Sequence, residues 1–428
     1  MAVAAGFVTE ESERRVFSKI AWRLVPLLTV AYVLNYLDRS NIGFAALTMN
    51  QALGLTATEF GFAAGFLFLS YCVLEIPSNI ALYRFGARLW ISRIMITWGL
   101  ISAATALVTG PKSLYILRFL LGAAEAGFFP GITFYLATWF PAEYRARILA
   151  WFLVAIPVSS VVGGPLSGWL LGLDGLGGLA GWQWLFICEG LPVTVLGIVT
   201  YWVLADGPDD AAWLGDGERQ AVKARIAAEP RERERRDLWA AIRDRRVLVL
   251  AGIQLGFTIG SYGVGIWLPQ IIKTQQLSNL AVGFISAGPY VLASIAMILW
   301  AVRVDRTGRK IGSLTLTCFI AAIGLLLAMW VASFWVSFAW ITVGLIGITA
   351  ARAIFWTIPP RFLTGLGAAG GLAFINSIGT LGGFVGPYLV GWLKDATGGY
   401  SAGLLAMAGF LLASTVLALS LRRLVRQE

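Results

Sequence analysis

Apolar runs of about 20 residues recur along this chain, and each is long enough to cross the roughly 30 Å hydrocarbon core of a bilayer as a helix. The composition agrees, because 58% of the residues are hydrophobic and only 13% are charged, whereas a soluble domain carries about 25% charged residues. The sequence therefore predicts an all-α membrane protein. The twelve predicted spans are residues 20–47, 60–83, 90–109, 113–139, 147–172, 183–205, 247–272, 281–302, 311–331, 334–361, 368–393 and 400–421.

One long polar stretch divides the chain. Residues 206–246 hold ten acidic and ten basic residues, a mixture typical of a solvated linker with short surface helices. The linker separates six apolar runs from six more. We therefore predict an N-terminal segment at 1–19, a six-helix bundle at 20–205, a second at 247–421 and a tail at 422–428.

The basic residues predict the orientation. If both termini are cytoplasmic, all but six of the 33 Lys and Arg residues fall on the cytoplasmic side, as the positive-inside rule requires. This placement explains the net charge of +10 without a nucleic-acid partner. The six exceptions are Lys112, Lys273 and Lys394, which fall outside, and Arg39, Arg118 and Arg352, which lie at membrane depth.

Ionisable residues at bilayer depth are the main clue to function. Asp38 and Arg39 share one apolar run, and Arg118 and Glu125 share another. Charge in this position is costly, so it normally faces a polar cavity and marks a substrate or proton path. The chain has no histidine, so any proton coupling must use carboxylates. The three cysteines fit neither a disulfide framework nor a metal site, and we expect no metal and no cofactor.

The spacing of these charges indicates how they could work. Arg118 and Glu125 are seven residues apart and share one helix face, whereas Asp38 points away from its neighbour Arg39. A buried carboxyl group beside an arginine can switch between binding a proton and pairing with that arginine. Asp38 and Glu125 are therefore candidates for proton coupling. The alternative is a static ion-pair network that braces the bundle.

Three arginines are candidates for gripping an anion. A guanidinium group binds a carboxylate with two parallel hydrogen bonds, and Arg39, Arg118 and Arg352 are available at membrane depth. Arg352 is the strong charge at that depth in the second half, about midway along the tenth run. The alternative for Arg352 is a side chain that snorkels to the membrane surface.

The two halves repeat each other. Residues 83–88 and 305–310 both contain a basic-x-Gly-x-basic pattern after the second span of their half. Residues 164–169 and 386–392 both pair Gly-Pro with Gly-Trp in the fifth span of their half. Duplicated helical halves around a site at the membrane midplane are a common transporter design.

On these loops the chain resembles the major facilitator superfamily. A narrower resemblance, to the anion:cation symporter family, is carried by residues 35–41, 75–79, 118–127, 139–141 and 373–379. The resemblance implies two pseudo-symmetric six-helix bundles in a bacterial cytoplasmic membrane. It also implies import of an organic anion with protons, the anion being a sugar acid, a dicarboxylate such as tartrate, or an aromatic acid.

Motifs and residue chemistry together define the candidate site. For proton coupling we predict Asp38 and Glu125. For substrate binding we predict Tyr36, Arg39, Tyr71, Arg118, Arg352, Trp356, Thr357 and Asn376, of which Trp356 and Asn376 correspond by motif to cavity positions of the family. For gating we predict Arg84, Arg88, Asp305, Arg306 and Arg309.

Other interpretations stay open. Glu75 could cap a kink before Pro77 or sit near the cytoplasmic gate, and Glu189 could make a structural hydrogen bond or contact substrate. Residues 164–168 partly resemble an antiporter motif, so export of a small molecule by proton antiport is the alternative function. An enzyme is not expected, because no nucleophile–base pair or metal site is evident. We expect a monomer; a channel or a receptor remains the less favoured alternative.

Overall fold

The computed structural model describes residues 10–228, 243–359 and 365–426. Within these ranges the chain is helical, and twelve helical segments are long and apolar enough to cross a membrane. The predicted all-α class and the number and order of the spans are therefore confirmed. The helices are α1 Glu10–Leu53, α2 Ala57–Phe85, α3 Ala87–Ala104, α4 Pro111–Glu125, α5 Phe128–Trp139, α6 Ala142–Leu153, α7 Ala155–Leu170, α8 Gly181–Val203, α9 Asp216–Ala227, α10 Arg245–Lys273, α11 Asn279–Thr307, α12 Lys310–Trp330, α13 Phe334–Phe355, α14 Gly365–Thr397 and α15 Ser401–Arg426. Short 3₁₀ turns lie at Thr105–Leu107, Leu171–Leu173, Leu176–Gly178 and Pro208–Asp210.

An even number of spans puts the start of α1 and the end of α15 on one side of the molecule. We call that side the terminal face and the opposite side the distal face. Helix α1 therefore runs from the terminal to the distal face, and α8 runs back from the distal face towards the linker. The helix α9 lies in the linker, and residues 229–242 of the predicted linker fall outside the described residues.

Helix ends follow local chemistry. Thr56 and Glu59 form a reciprocal capping box at the start of α2, which satisfies free backbone N–H groups there. Ser278 caps α11 by accepting a bond from the Ala281 N–H group. Gly308 ends α11 with φ +66°, a left-handed conformation that glycine adopts without a steric penalty.

The two halves meet through glycines on the distal side. A side chain at Gly61 would meet the Pro387 carbonyl of α14, and one at Gly164 would meet the Gly283 carbonyl of α11. Close backbone approach of this kind is how small residues serve membrane helix packing. A side chain at Gly43 of α1 would likewise meet the α10 backbone.

Polar bonds reinforce this closure. The Asp395 carboxylate near the end of α14 accepts bonds from the backbone N–H groups of Ala57, at 3.2 Å, and Thr58, at 2.7 Å. The Thr58 hydroxyl donates to the same carboxylate at 2.6 Å. A carboxylate at the N-terminus of α2 also complements the helix dipole. The distal face is therefore held shut by both packing and charge.

Two predicted boundaries differ most. The fifth span was expected to begin at residue 147, but the chain is interrupted at Val154 and the span runs from Ala155 to Leu173. The tenth apolar run was expected to extend to residue 361, but α13 ends at Phe355. Arg352 therefore lies in the last turn of its helix rather than near the middle. Residues 360–364 lie outside the described part of the chain. Hydropathy alone does not detect this ending, because Trp356 and Ile358 continue the apolar run before Pro359 and Pro360.

Candidate functional site

The centre of the first half is a buried ion pair between two helices. Arg39 of α1 donates from Nε to Glu125 Oε2 of α4 at 2.8 Å. Asn35, one turn earlier on α1, donates to the same oxygen at 3.0 Å. The Glu125 side chain is fully buried, whereas that of Arg39 is 12% exposed. Arg39 therefore lies at the edge of the cluster, and Glu125 lies inside it.

Glu125 is the last residue of α4, because the fourth span is broken there. Ala126 leaves the helical conformation, and Gly127 has φ +84° before α5 begins at Phe128. Interrupted helices at membrane depth are typical of transporter binding sites. Gly122 serves a different purpose, since a side chain there would meet the Leu67 carbonyl of α2. The glycines beside Glu125 therefore allow a bend and close helix contact.

Asp38 faces the interior of the first bundle. Its carboxylate accepts bonds from Trp98 Nε1 at 3.1 Å, from Asn41 Nδ2 at 3.1 Å and from the Ser102 hydroxyl. Three donors satisfy the ionised form of a buried carboxyl group. Two of these donors belong to α3, so Asp38 ties α1 to α3.

Arg118 is sealed in the same interior. Its side chain is fully buried, and its three guanidinium nitrogens have no hydrogen-bond partner among the described residues. It interacts electrostatically with Asp38 and Glu125. The structure thus brings Arg118 into the carboxylate cluster, but it pairs Glu125 with Arg39 of another helix.

The second half presents one guanidinium group to the interior. Arg352 of α13 donates from Nη2 to the Ser261 hydroxyl of α10 at 2.8 Å. Tyr262 and Tyr290 are close enough to Arg352 to interact with it electrostatically. Arg352 therefore points towards hydroxyl groups inside the protein, which is not the arrangement of a snorkelling side chain.

Tyr262 connects the two halves. Its hydroxyl group interacts with both Arg39 and Arg352, and its ring packs on Phe68 of α2 at a centroid distance of 4.3 Å. Two arginines, one from each half, therefore approach one tyrosine.

Aromatic rings surround Arg39. Its guanidinium carbon lies 4.8 Å from the centre of the Tyr71 ring and 5.7 Å from that of Tyr36. These distances are typical of cation–π contacts. The structure therefore brings together Tyr36, Arg39, Tyr71 and Glu125 from the predicted set.

Asn376 lies at a second contact between the halves. Its Nδ2 donates to Glu75 Oε1 of α2 at 3.3 Å. One turn before Glu75, Cys72 Sγ donates to the Ser377 carbonyl at 3.6 Å. Glu75 therefore bonds across the halves in this structure.

Trp356 and Thr357 follow the end of α13. Trp356 is 37% exposed. Its ring contacts the Phe355 ring edge-on, with the two ring centroids 5.3 Å apart. The Thr357 hydroxyl donates to the Ile354 carbonyl at 2.7 Å, and its own carbonyl accepts from Lys310. These contacts hold both residues at the end of α13, apart from the cluster around Arg39.

The predicted gating residues lie on the terminal face. Arg88 donates from Nε to the Tyr201 carbonyl at 2.6 Å, and its backbone N–H donates to Asp206 at 2.8 Å. These bonds tie the start of α3 to the end of α8 and to Asp206 just beyond it. The remaining gating residues are exposed; they are Arg84, Asp305, Arg306 and Arg309.

Several site residues were missed by sequence reasoning. Trp98 and Ser102 bind Asp38, and Ser261 and Tyr262 line the approach to Arg352. A usable signal existed for the second pair, because two adjacent hydroxyl residues stand in the seventh apolar run. Nothing comparable marks Trp98, which resembles the other tryptophans of the chain.

Comparison with known proteins agrees with this architecture. A family model described as Major Facilitator Superfamily matches residues 28–387. The chain belongs to the Major Facilitator Superfamily. The predicted membership is confirmed, and this superfamily member is an integral membrane transporter and not an enzyme.

Relatives and solved structures add detail. The chain is 48% identical to a putative tartrate transporter of Agrobacterium vitis, over 98% of this chain and 94% of that protein. It is 39% identical to a quinolone resistance transporter of Acinetobacter baumannii, over 85% of each chain. Its fold resembles the crystal structure of a bacterial homologue of the human lysosomal transporter Spinster, with TM-score 0.79 and 17% identity over 95% of this chain and 97% of that one. The tartrate relative fits the narrower anion:cation symporter resemblance.

Proposed function

We propose that this transporter imports an organic anion, with a dicarboxylate such as tartrate as the first candidate, together with protons. Bundles at 20–205 and 247–421 would rock around the central site and expose it to one side at a time. Both termini would be cytoplasmic, in a bacterial cytoplasmic membrane, and the protein would act as a monomer. The relative named as a putative tartrate transporter supports this substrate class.

The observation that carries the proposal is the pair of arginines facing Tyr262. Arg39 comes from the first half and Arg352 from the second. A guanidinium group binds a carboxylate through two parallel hydrogen bonds, so a molecule with two carboxylates could engage one arginine in each half. Substrate binding would then bring the halves together, which is the step that alternating access requires.

The ion pair between Arg39 and Glu125 suggests how proton binding would be coupled to substrate binding. Glu125 accepts a 2.8 Å bond from Arg39 Nε. A proton on Glu125 would remove its negative charge and weaken this ion pair. Arg39 would then be free to bind the substrate carboxylate, so that proton and anion load together. Asp38 and Arg118, which lie beside this pair, would adjust the charge balance of the cluster.

The closed distal face fits one step of the proposed transport cycle. Glycine contacts and the Asp395 cap close the distal face. With cytoplasmic termini, closure of the distal face would bar access to the site from outside the cell. The proposed release of substrate and protons would occur from this arrangement.

The test is transport by purified protein in liposomes. A gradient that is acidic outside should drive accumulation of labelled tartrate, and the trans compartment should acidify during uptake. Excess unlabelled tartrate should compete, whereas its dimethyl ester should not. Competition by the ester as strong as that by the acid would contradict an arginine-based anion site.

Export by proton antiport is the second candidate, because a relative 39% identical to this chain is named a quinolone resistance transporter. The direction of coupled proton flow separates the two. Substrate movement that acidifies the compartment from which substrate departs, with no tartrate accumulation, would favour antiport.

A further inference from the structure

Glu189 is a buried carboxyl group that the proposed cycle does not use. It lies on α8 and is 4% exposed. The Ser167 hydroxyl of α7 donates to its Oε1 at 3.3 Å. Its Oε2 has no hydrogen-bond partner among the described residues, and no arginine or lysine of that part of the chain forms an ion pair with it. A buried carboxylate with so little compensation is costly when ionised.

Asn41 links Glu189 to Asp38. Its Nδ2 donates to Asp38 Oδ1 at 3.1 Å, and its side-chain amide also interacts with the Glu189 carboxyl group. The Asn41 Oδ1 atom has no hydrogen-bond donor among the described groups. Two unpartnered acceptors, Asn41 Oδ1 and Glu189 Oε2, therefore occupy one buried region.

A single proton shared by Glu189 and Asp38 would give these acceptors a hydrogen-bond donor. If Glu189 carries it, the carboxyl O–H can donate to Asn41 Oδ1 while Asn41 Nδ2 donates to ionised Asp38. If Asp38 carries it, the amide can turn so that Nδ2 donates to ionised Glu189 and the Asp38 O–H donates to Asn41 Oδ1. An amide offers both donors and an acceptor, so it suits either state. The orientation of Asn41 thus reports which carboxyl group is protonated.

Among the groups that surround Glu189, the charged one is Asp38. Asp38 and Asn41 face it from α1, and Ser167 faces it from α7. Helix α3 approaches the next residue, Gly190, through the backbone of Gly99 and Ala103, which carry no charge. Two carboxyl groups in one buried region resist simultaneous ionisation.

Glu189 also lies on the distal side of Asp38. It is eight residues after the distal start of α8 at Gly181, a distance of about 12 Å along the helix axis. On α1, Asn41 is one turn closer to the distal face than Asp38. The order from the distal face towards the arginine cluster is therefore Glu189, Asn41, Asp38.

We propose that Glu189 is a proton-relay residue that shares one proton with Asp38 across the Asn41 amide and passes it inward from the distal side. This inference rests on the proposed proton symport. In the transfer, the O–H bond of Glu189 breaks and its proton bonds to Asn41 Oδ1, while an N–H bond of Asn41 Nδ2 breaks and that proton bonds to Asp38. The imidic acid so formed regains the amide form when its O–H proton moves to nitrogen, and the side chain then turns over. The negative charge moves from Asp38 to Glu189, and no electrons are exchanged with another group.

The test compares wild type, Glu189→Gln and the control Cys188→Ala in liposomes. Cys188 is the neighbouring residue on α8, so its change tests local packing while the carboxyl group is kept. Counterflow of labelled tartrate needs no net proton movement, and we expect all three proteins to perform it. Proton-driven accumulation should be lost in Glu189→Gln and kept in Cys188→Ala.

Other outcomes overturn specific claims. Full proton-driven accumulation by Glu189→Gln would show that the residue is structural, and a parallel loss of counterflow and accumulation in a folded variant would show the same. If Glu189→Gln does not fold, Glu189→Asp replaces it: a relay group should retain accumulation with an altered pH dependence, and an unaltered pH profile would refute the relay. Wild type without any proton dependence would instead refute the proposed symport itself.

Discussion

The two halves repeat a pattern in sequence but carry very different charges inside. The first half buries Asp38, Arg118, Glu125 and Glu189, whereas the described interior of the second half presents Arg352 to neutral hydroxyl groups. A buried carboxyl group can exist with or without its proton, but an arginine stays charged. Under the proposed symport, the first half would therefore handle protons, and the second half would contribute only to substrate binding.

The largest expected effect comes from neutralising the proton-handling half. Glu125→Gln and Asp38→Asn each keep the shape of the side chain but remove its titratable group. We expect both to abolish proton-driven accumulation of substrate in liposomes, whereas Glu125→Gln retains counterflow because an amide resembles a protonated acid. Full proton-driven uptake by both variants would show that the first half does not couple transport to protons.

Sequence reasoning located these charges but not their partners. Hydropathy defines the twelve spans and places Asp38, Arg39, Arg118 and Glu125 at membrane depth. Spacing along one helix favoured Arg118 as the neighbour of Glu125, yet Arg39 bonds to Glu125 from another helix. Pairing between helices depends on how α1 and α4 pack, and a single sequence carries no direct signal for that.

Helix interruptions were equally hard to predict. The fourth apolar run continues through residue 139, although the backbone turns at Gly127 with φ +84°. Likewise, α13 ends at Phe355 inside an apolar run. Glycine and proline mark such positions, but most glycines of these spans lie within regular helix, so their presence alone does not predict a break.

The second effect tests the binding half. Arg352→Lys keeps the positive charge but loses the planar fork that binds a carboxylate through two bonds. We expect the affinity for a dicarboxylate to weaken by about 1.5–3 kcal/mol, the range for hydrogen bonds to charged groups. Binding measured by calorimetry should change less for a monocarboxylate. Equal losses for both ligands would argue against an anion that spans Arg39 and Arg352.

The third effect concerns the junction between the halves. Gly164→Ala adds a methyl group that would meet the Gly283 carbonyl on the distal side. Overpacking of this kind costs about 1–3 kcal/mol, so the distal-closed state should become less populated and uptake should slow. Gly172→Ala is the matched control, because nothing lies within 4 Å of a side chain there. Equal uptake rates in the two variants would mean that this contact does not control closure.

The smallest expected effect comes from a partly exposed ion pair at the linker, which contrasts with the buried charges. Lys19 donates to Glu218 of the linker at 2.7 Å, and this bond, followed by one from the Gly215 backbone, holds the pKa of Glu218 below its usual 4.5. A lowered acid pKa stabilises the fold above the unfolded-state value, and the contribution disappears as pH falls through the folded-state pKa.

Because the pair is partly exposed, it should contribute about 0.2–1 kcal/mol. Thermal melting of wild type and Glu218→Gln should therefore show a slightly lower Tm for the variant at pH 7 and equal values near pH 3, below the usual carboxyl range. A Tm difference that grows on acidification would have the wrong sign for this ion pair.

The most direct test of the central claim is the pH dependence of substrate affinity in wild type and Glu125→Gln. The claim is that a proton on Glu125 releases Arg39 to bind the substrate carboxylate. Calorimetric titration of tartrate at a series of pH values above the range in which tartrate itself titrates should show wild-type affinity rising as pH falls. The slope of this dependence should be markedly smaller in Glu125→Gln, which should bind as though already protonated at every pH. An identical slope in the two proteins would contradict the exchange of partners at Arg39.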